Sequence, residues 1–316
     1  MIGSFLNVVI YRLPAGLSVV RPRSRCPRCE RWIPWHENIP VLSFLVLRAK
    51  CRGCRAPISW RYPGVEALTG ALFVAATWLL LRDGLGGAER WIHLAAAFVY
   101  LGLLVALTFI DIDHRILPDR LTKPGMAAGA LFSVLLPGLQ GAGDLASLPP
   151  AGEALLLSLG GMALGYGSIW IVGWLGEKAF RREAMGLGDA KLLAMVGAFC
   201  GPKGVLLAGA LGLLVGLVTG LVHQARTRDA AFPFGPALAV GGAAVFLAPS
   251  ALSRGVEGLV ESSRDPRFGL GAAVVCALLL LSVRRRLPRG MFLAILALVL
   301  LLAGVNVAML LAGPPR

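Results

Sequence analysis

Long apolar runs separated by short polar breaks dominate the chain. They fall at about 64–81, 91–110, 122–138, 154–175, 190–201, 203–222, 232–250, 268–283 and 290–312. Most approach the roughly 20 residues a helix needs to cross a bilayer. None alternates with the period of two that marks a barrel strand. Only helices and closed barrels satisfy their backbone groups in hydrocarbon. The pattern therefore predicts an all-α polytopic membrane protein of about 9–10 transmembrane helices. Residues 1–11 (MIGSFLNVVIY) are apolar too, but at about 1.5 Å per residue they reach about 16 Å against a hydrocarbon core of about 30 Å. The first helix is expected to begin upstream of Met1. No basic stretch precedes it, so it does not read as a cleavable signal peptide.

Composition agrees: 57% of the 316 residues are hydrophobic and 15% charged, against about 25% charged in soluble domains. The net charge of +14 would suit nucleic acid, but in a membrane chain its commoner cause is the basic bias of cytoplasmic loops, and no nucleic-acid partner is expected. If each run crosses once and residue 12 lies in the cytoplasm, the cytoplasmic loops are 12–63, 111–123, 176–191, 223–231 and 284–289. They hold 24 of the 31 Lys+Arg, which fixes the orientation. The 138–153 loop carries no Lys or Arg and falls outside. No internal repeat is visible. The domains read as 1–63, a partial first helix with a cytoplasmic insertion; 64–250, a membrane-embedded core; and 251–316, two further helices.

Two cytoplasmic loops carry carboxylates at the ends of apolar helices. One is FIDIDHRILPDRLT, with Asp111, Asp113 and Asp119; the other is MGLGDAKL, with Asp189. A carboxylate at the hydrocarbon edge is costly unless paired, hydrated or functional. Two brought together would share one proton at neutral pH, the state that hydrolyses a peptide. The bland reading is capping, and Asp189 does precede an apolar run as an N-cap would. Gly186 and Gly188 ahead of Asp189 would let an extended strand approach the loop.

Cys26-Pro-Arg-Cys29 and Cys51-Arg-Gly-Cys54 form two CxxC knuckles that can supply four thiolates to one structural zinc. Redox chemistry is the rival, disfavoured because no thioredoxin-like βαβ pattern lies nearby and the compartment would be reducing. Cys200 and Cys276, inside apolar runs, read as inert. Of the four scattered histidines, His114 lies closest to Asp111 and reads as a solvated loop residue.

Asp111 followed by Leu117-Pro118-Asp119, then Asp189 in GLGD, resembles the bacterial type IV prepilin peptidases. Segments GSFLNVVIYRLP (3–14), ENIPVLSFL (37–45), RYPGVEALTG (61–70) and FPFGP (232–236) are similar to that family in the same order, over about residues 1–250. The resemblance implies a GxGD-type aspartyl protease of the inner membrane. Its catalytic pair would be Asp111 and Asp189, removing the basic leader of type IV prepilins or type II secretion pseudopilins. Many members also N-methylate the new N-terminus with S-adenosylmethionine. Glu66 is then a candidate for methyl transfer, or alternatively a carboxylate favoured by its helix N-terminus. The runs at 268–283 and 290–312 extend beyond the family pattern and read as lipid-facing helices. Two rivals remain: a transporter with a carboxylate proton relay and a zinc docking loop, and a catalytically dead assembly protein, which would lack one aspartate.

Overall fold

The computed structural model describes residues 1–82, 86–140, 148–180, 186–227, 233–249 and 252. The chain divides into Met1–Ala248 and Pro249–Arg316, and all but two of the described residues, Pro249 and Leu252, belong to the first unit. The helices expected at 268–283 and 290–312, and Cys276, lie outside the described residues.

Among the described residues eight α-helices follow in order: α1 (Ile2–Arg12), α2 (Leu42–Val46), α3 (Arg61–Arg82), α4 (Gly87–His114), α5 (Asp119–Leu135), α6 (Pro150–Phe180), α7 (Leu187–Thr227) and α8 (Gly235–Leu247). There is no strand among the described residues. Four helices, α3, α4, α6 and α7, are long and apolar enough to cross a membrane; α5, with 17 residues, and α1 and α8 are shorter. Their surfaces suit lipid rather than water, since Leu213, Leu214, Leu217 and Val218 of α7 are each about 60% exposed.

The 41 residues of α7 are two helices joined at Gly201, whose φ of 68° and ψ of −176° break the spiral. The limbs fold back on each other: a Cβ on Gly209 would lie 3.6 Å from the Leu193 side chain, though 16 residues of straight helix would separate them by about 24 Å. The break has a local cause. Pro202 has no N–H to offer the carbonyl four residues earlier, which belongs to Ala198. Three side chains meet that orphan instead: Gln140 Nε2 donates at 2.8 Å, Ser158 Oγ at 2.9 Å and Ser133 Oγ at 3.3 Å. Runs 190–201 and 203–222 are thus separate helical limbs, divided where the pattern divides them.

The first limb of α7 packs against α6 without intervening side chains. A Cβ on Gly161 would collide with the Gly197 carbonyl, and one on Gly197 with that of Gly161. In lipid, where apolar surface gains nothing by association, such close backbone approach supplies the packing energy. A second cluster joins α1, α3 and α4 through Leu6, Val9, Ile10, Val65, Val105 and Ile110.

Candidate active site

Helix α4 stops just beyond Asp111. Arg115 adopts the left-handed conformation (φ 53°, ψ 37°), and its N–H bonds back to the Asp111 carbonyl at 2.8 Å, an αL cap on a residue other than glycine. Asp111 therefore occupies the last turn of α4, buried at 6% exposure. Pro118 then starts α5 as its N-cap.

Asp189 sits in the first turn of α7, its N–H bonded to the Gly186 carbonyl at 3.1 Å. A Cβ on Gly188 would come within 3.1 Å of Leu117, so the glycine loop lies directly against the loop that follows Asp111. The result is a cleft of about 300 Å³ lined by Asp111, Arg115, Ile116, Leu117, Gly186, Gly188, Asp189 and Lys191. Four residues expected at a site, Asp111, Asp189, Gly186 and Gly188, are thereby brought together.

Ion pairs between helices hold this end of the bundle. Arg61 at the start of α3 pairs with Asp113 and donates to the Phe109 carbonyl at 3.3 Å. Asp119 of α5 pairs with Lys123 and, across 72 residues, with Lys191. Its hydrogen bonds from Lys123 and then Lys191 hold Asp119 below the usual carboxylate value. The last turn of α4 also meets α8, where the Gly235 N–H donates to Asp111 Oδ2 at 3.0 Å.

Glu66 is not among the residues lining the cleft. Its Oε2 accepts the Val41 N–H at 2.8 Å, and Val41 has a positive φ of 61°, a costly conformation for a β-branched residue. Here Glu66 ties the 12–63 loop to α3.

The four loop cysteines gather in the 12–63 insertion, their Sγ atoms all within 4.8 Å of one another. The closest contacts run between knuckles: Cys26 to Cys54 at 3.8 Å and Cys29 to Cys51 at 4.0 Å. Tetrahedral zinc with bonds of about 2.3 Å would set its sulfurs about 3.8 Å apart. The knuckles share one backbone design. The N–H of the first cysteine bonds to the carbonyl five residues on (Cys26 to Arg31, Cys51 to Ala56). The residue after the second cysteine is left-handed (Glu30, φ 54°; Arg55, φ 57°). Backbone N–H groups of Cys29 and Arg28 draw the Cys26 thiol down to about 6, toward the thiolate that binds metal, whereas Cys54, despite the Ala56 N–H, is pushed up to about 11 by desolvation and the neighbouring sulfurs. Glu37 bridges the knuckles, accepting from Arg31 at 2.9 Å and Arg52 at 3.3 Å. The cluster can hold a metal ion, with no ligand position left open for water.

Sequence reasoning did not single out Lys191, Arg115 or Gly235. Lys191, two residues after Asp189 on a helix of hydrophobic neighbours, carried a signal in its charge alone.

Comparison with known proteins gives consistent matches. Residues 1–80 match the bacterial peptidase A24 N-terminal domain, and residues 98–221 match the type IV leader peptidase family. A prepilin leader peptidase/N-methyltransferase of Myxococcus xanthus is 45% identical over 230 residues, 72% of this chain and 62% of that protein. One of Aeromonas hydrophila is 41% identical over 275 residues, 77% of this chain and 85% of the relative. One of Neisseria gonorrhoeae is 34% identical over 281 residues, 81% and 90% of the two chains. The chain thus spans about three fifths of the Myxococcus protein and most of the other two. No solved structure matches.

Proposed function

This chain belongs to the type IV leader peptidase family, and from that premise we propose that it cuts the leader from type IV prepilins or type II secretion pseudopilins. Asp111 and Asp189 are the catalytic pair, at the cytoplasmic face of the inner membrane. The observation that carries this reading is the convergence of the two carboxylates, 78 positions apart in sequence, on one cleft rimmed by Gly186 and Gly188.

The chemistry needs one carboxylate ionised and one protonated. The ionised member takes a proton from water as the water oxygen adds to the scissile carbonyl carbon. The protonated member gives its proton to the carbonyl oxygen, forming a gem-diol. On collapse the C–N bond breaks, the leaving amine takes the proton first gained from water, and a diol hydroxyl returns its proton to the other aspartate. The dyad ends as it began and titrates as a unit. Gly186 and Gly188 put no side chain on the cleft rim, which suits the approach of an extended substrate backbone.

A second activity, N-methylation of the new N-terminus with S-adenosylmethionine, is proposed on the strength of the relatives' names. Glu66 is proposed to serve that activity by holding the loop that carries Val41. Zinc on Cys26, Cys29, Cys51 and Cys54 fits the sulfur spacing and would act structurally by folding that loop. Residues 251–316 are proposed as additional membrane helices. The transporter reading has no supporting observation.

The test is co-expression with a tagged prepilin and mass analysis of its N-terminus. The wild type should yield product lacking the leader and carrying one added methyl. Asp111→Asn and Asp189→Asn should leave the leader intact while the protein still accumulates in the membrane, and methylation of pre-cleaved substrate should persist. Normal cleavage by either variant would sink the assignment.

A further inference from the structure

We infer that Gly235, at the start of α8, is a positioning residue for the Asp111 carboxylate, acting from behind the cleft. The inference rests on the reading of Asp111 as catalytic. Gly235 opens α8, with Phe234 as N-cap and a proline in the first turn. A helix start leaves its first N–H groups without intrahelical acceptors. The Gly235 N–H, 124 residues from Asp111 in sequence, donates to Asp111 Oδ2 at 3.0 Å in a buried setting.

Space, not backbone freedom, demands glycine here. Gly235 is not in the left-handed region, yet a Cβ on it would lie 2.6 Å from Asp111 Oδ2 and 3.1 Å from Cγ. Any side chain would push the carboxylate away from the amide that orients it. With Oδ2 held as an acceptor by a fixed backbone donor, proton exchange with water and with Asp189 runs through Oδ1. The carboxyl plane is set before substrate arrives, which is preorganisation of the kind that raises kcat rather than affinity.

The same helix supplies a matched control. A Cβ on Gly242 would lie 2.6 Å from Tyr100 Oη and 3.0 Å from Val196, an equal intrusion two turns away that leaves Asp111 untouched. Cleavage kinetics of purified full-length protein on a prepilin would be compared for Gly235→Ala, Gly242→Ala and Asp111→Asn. A fourth protein, made by cell-free synthesis, would carry glycolate at position 235, turning the amide into an ester and deleting the N–H without adding an atom. Gly235→Ala should lower kcat about a hundredfold, as misplaced reacting groups do, with KM unchanged. The ester should lower kcat about tenfold, the worth of one buried hydrogen bond. Gly242→Ala should cost thermal stability while keeping kcat per folded molecule. Wild-type kcat in the ester, or an equal kcat loss in Gly242→Ala, would overturn the inference; if Gly235→Ala fails to accumulate, the ester decides. An active Asp111→Asn would instead overturn the catalytic reading itself. An inactive Asp111→Asn beside an unimpaired ester removes Gly235 alone.

Discussion

Asp111 and Asp113 stand two positions apart and meet different partners. Asp111 is buried against the Gly235 amide, and Asp113 is spent on the Arg61 guanidinium. Asp113→Asn should therefore retain most cleavage activity. It should cost about 0.5 kcal/mol of stability, because the pair is partly solvated and such pairs contribute little. Kinetics and thermal denaturation of the purified variant check both halves. A basic hydrated loop around Asp113 is legible in the sequence, whereas its pairing with α3 across 52 residues is a tertiary fact. Asp119 extends the point, since its spacing suggests a cap and the structure gives it an ion pair with Lys191. Its lowered folded value means that it stabilises the protein at neutral pH and that this contribution is lost as pH falls below 3.8 and through the folded value. The melting-temperature gap between wild type and Asp119→Asn should thus be open at pH 7 and close in acid. A constant gap would show that the pair is not the cause.

At the level of elements, hydrophobic runs give the helices to within a few residues, because length and composition suffice where lipid is the solvent. Run 122–138 corresponds to α5 at Asp119–Leu135 and run 232–250 to α8 at Gly235–Leu247. What packs against what is less legible. The Gly161–Gly197 seam pairs two glycines among 40, and nothing local marks them. The FPFGP segment announces a helix start through its proline but not that its amide faces an aspartate. In the cysteine loop, spacing tells that four thiolates can meet, and the interleaved sulfur contacts follow from the duplicated knuckle. Chelation should therefore do more than remove an ion. Treatment with a strong chelator should release about one zinc per chain and open residues 26–54 to proteolysis or hydrogen exchange, while α4 to α8 stay protected. A metal-free preparation with an equally protected loop would refute the structural role.

Across the whole molecule, the ends of the helices agree with the charge bias. Arg61–Asp113 and Gly235–Asp111 join the N-terminal ends of α3 and α8 to the C-terminal end of α4, Asp119–Lys191 joins those of α5 and α7, and Gly188 lies against Leu117 in the loop that follows α4. These ends must share one face, the basic one. Arg115→Cys or Leu187→Cys should react with impermeant maleimide, above the labelling of the unsubstituted protein, in inverted vesicles and not in intact spheroplasts. The opposite pattern would reverse the orientation and move the chemistry outside the cell. The dependence of Asp111 on an amide 124 residues downstream also has a bearing on birth order. During synthesis α4 and the first limb of α7 enter the membrane before α8 has left the ribosome. The two aspartates can then face each other while the group that aligns one of them is still untranslated. A chain stalled before residue 233 would be inserted without that amide, so full activity should wait for the arrival of α8.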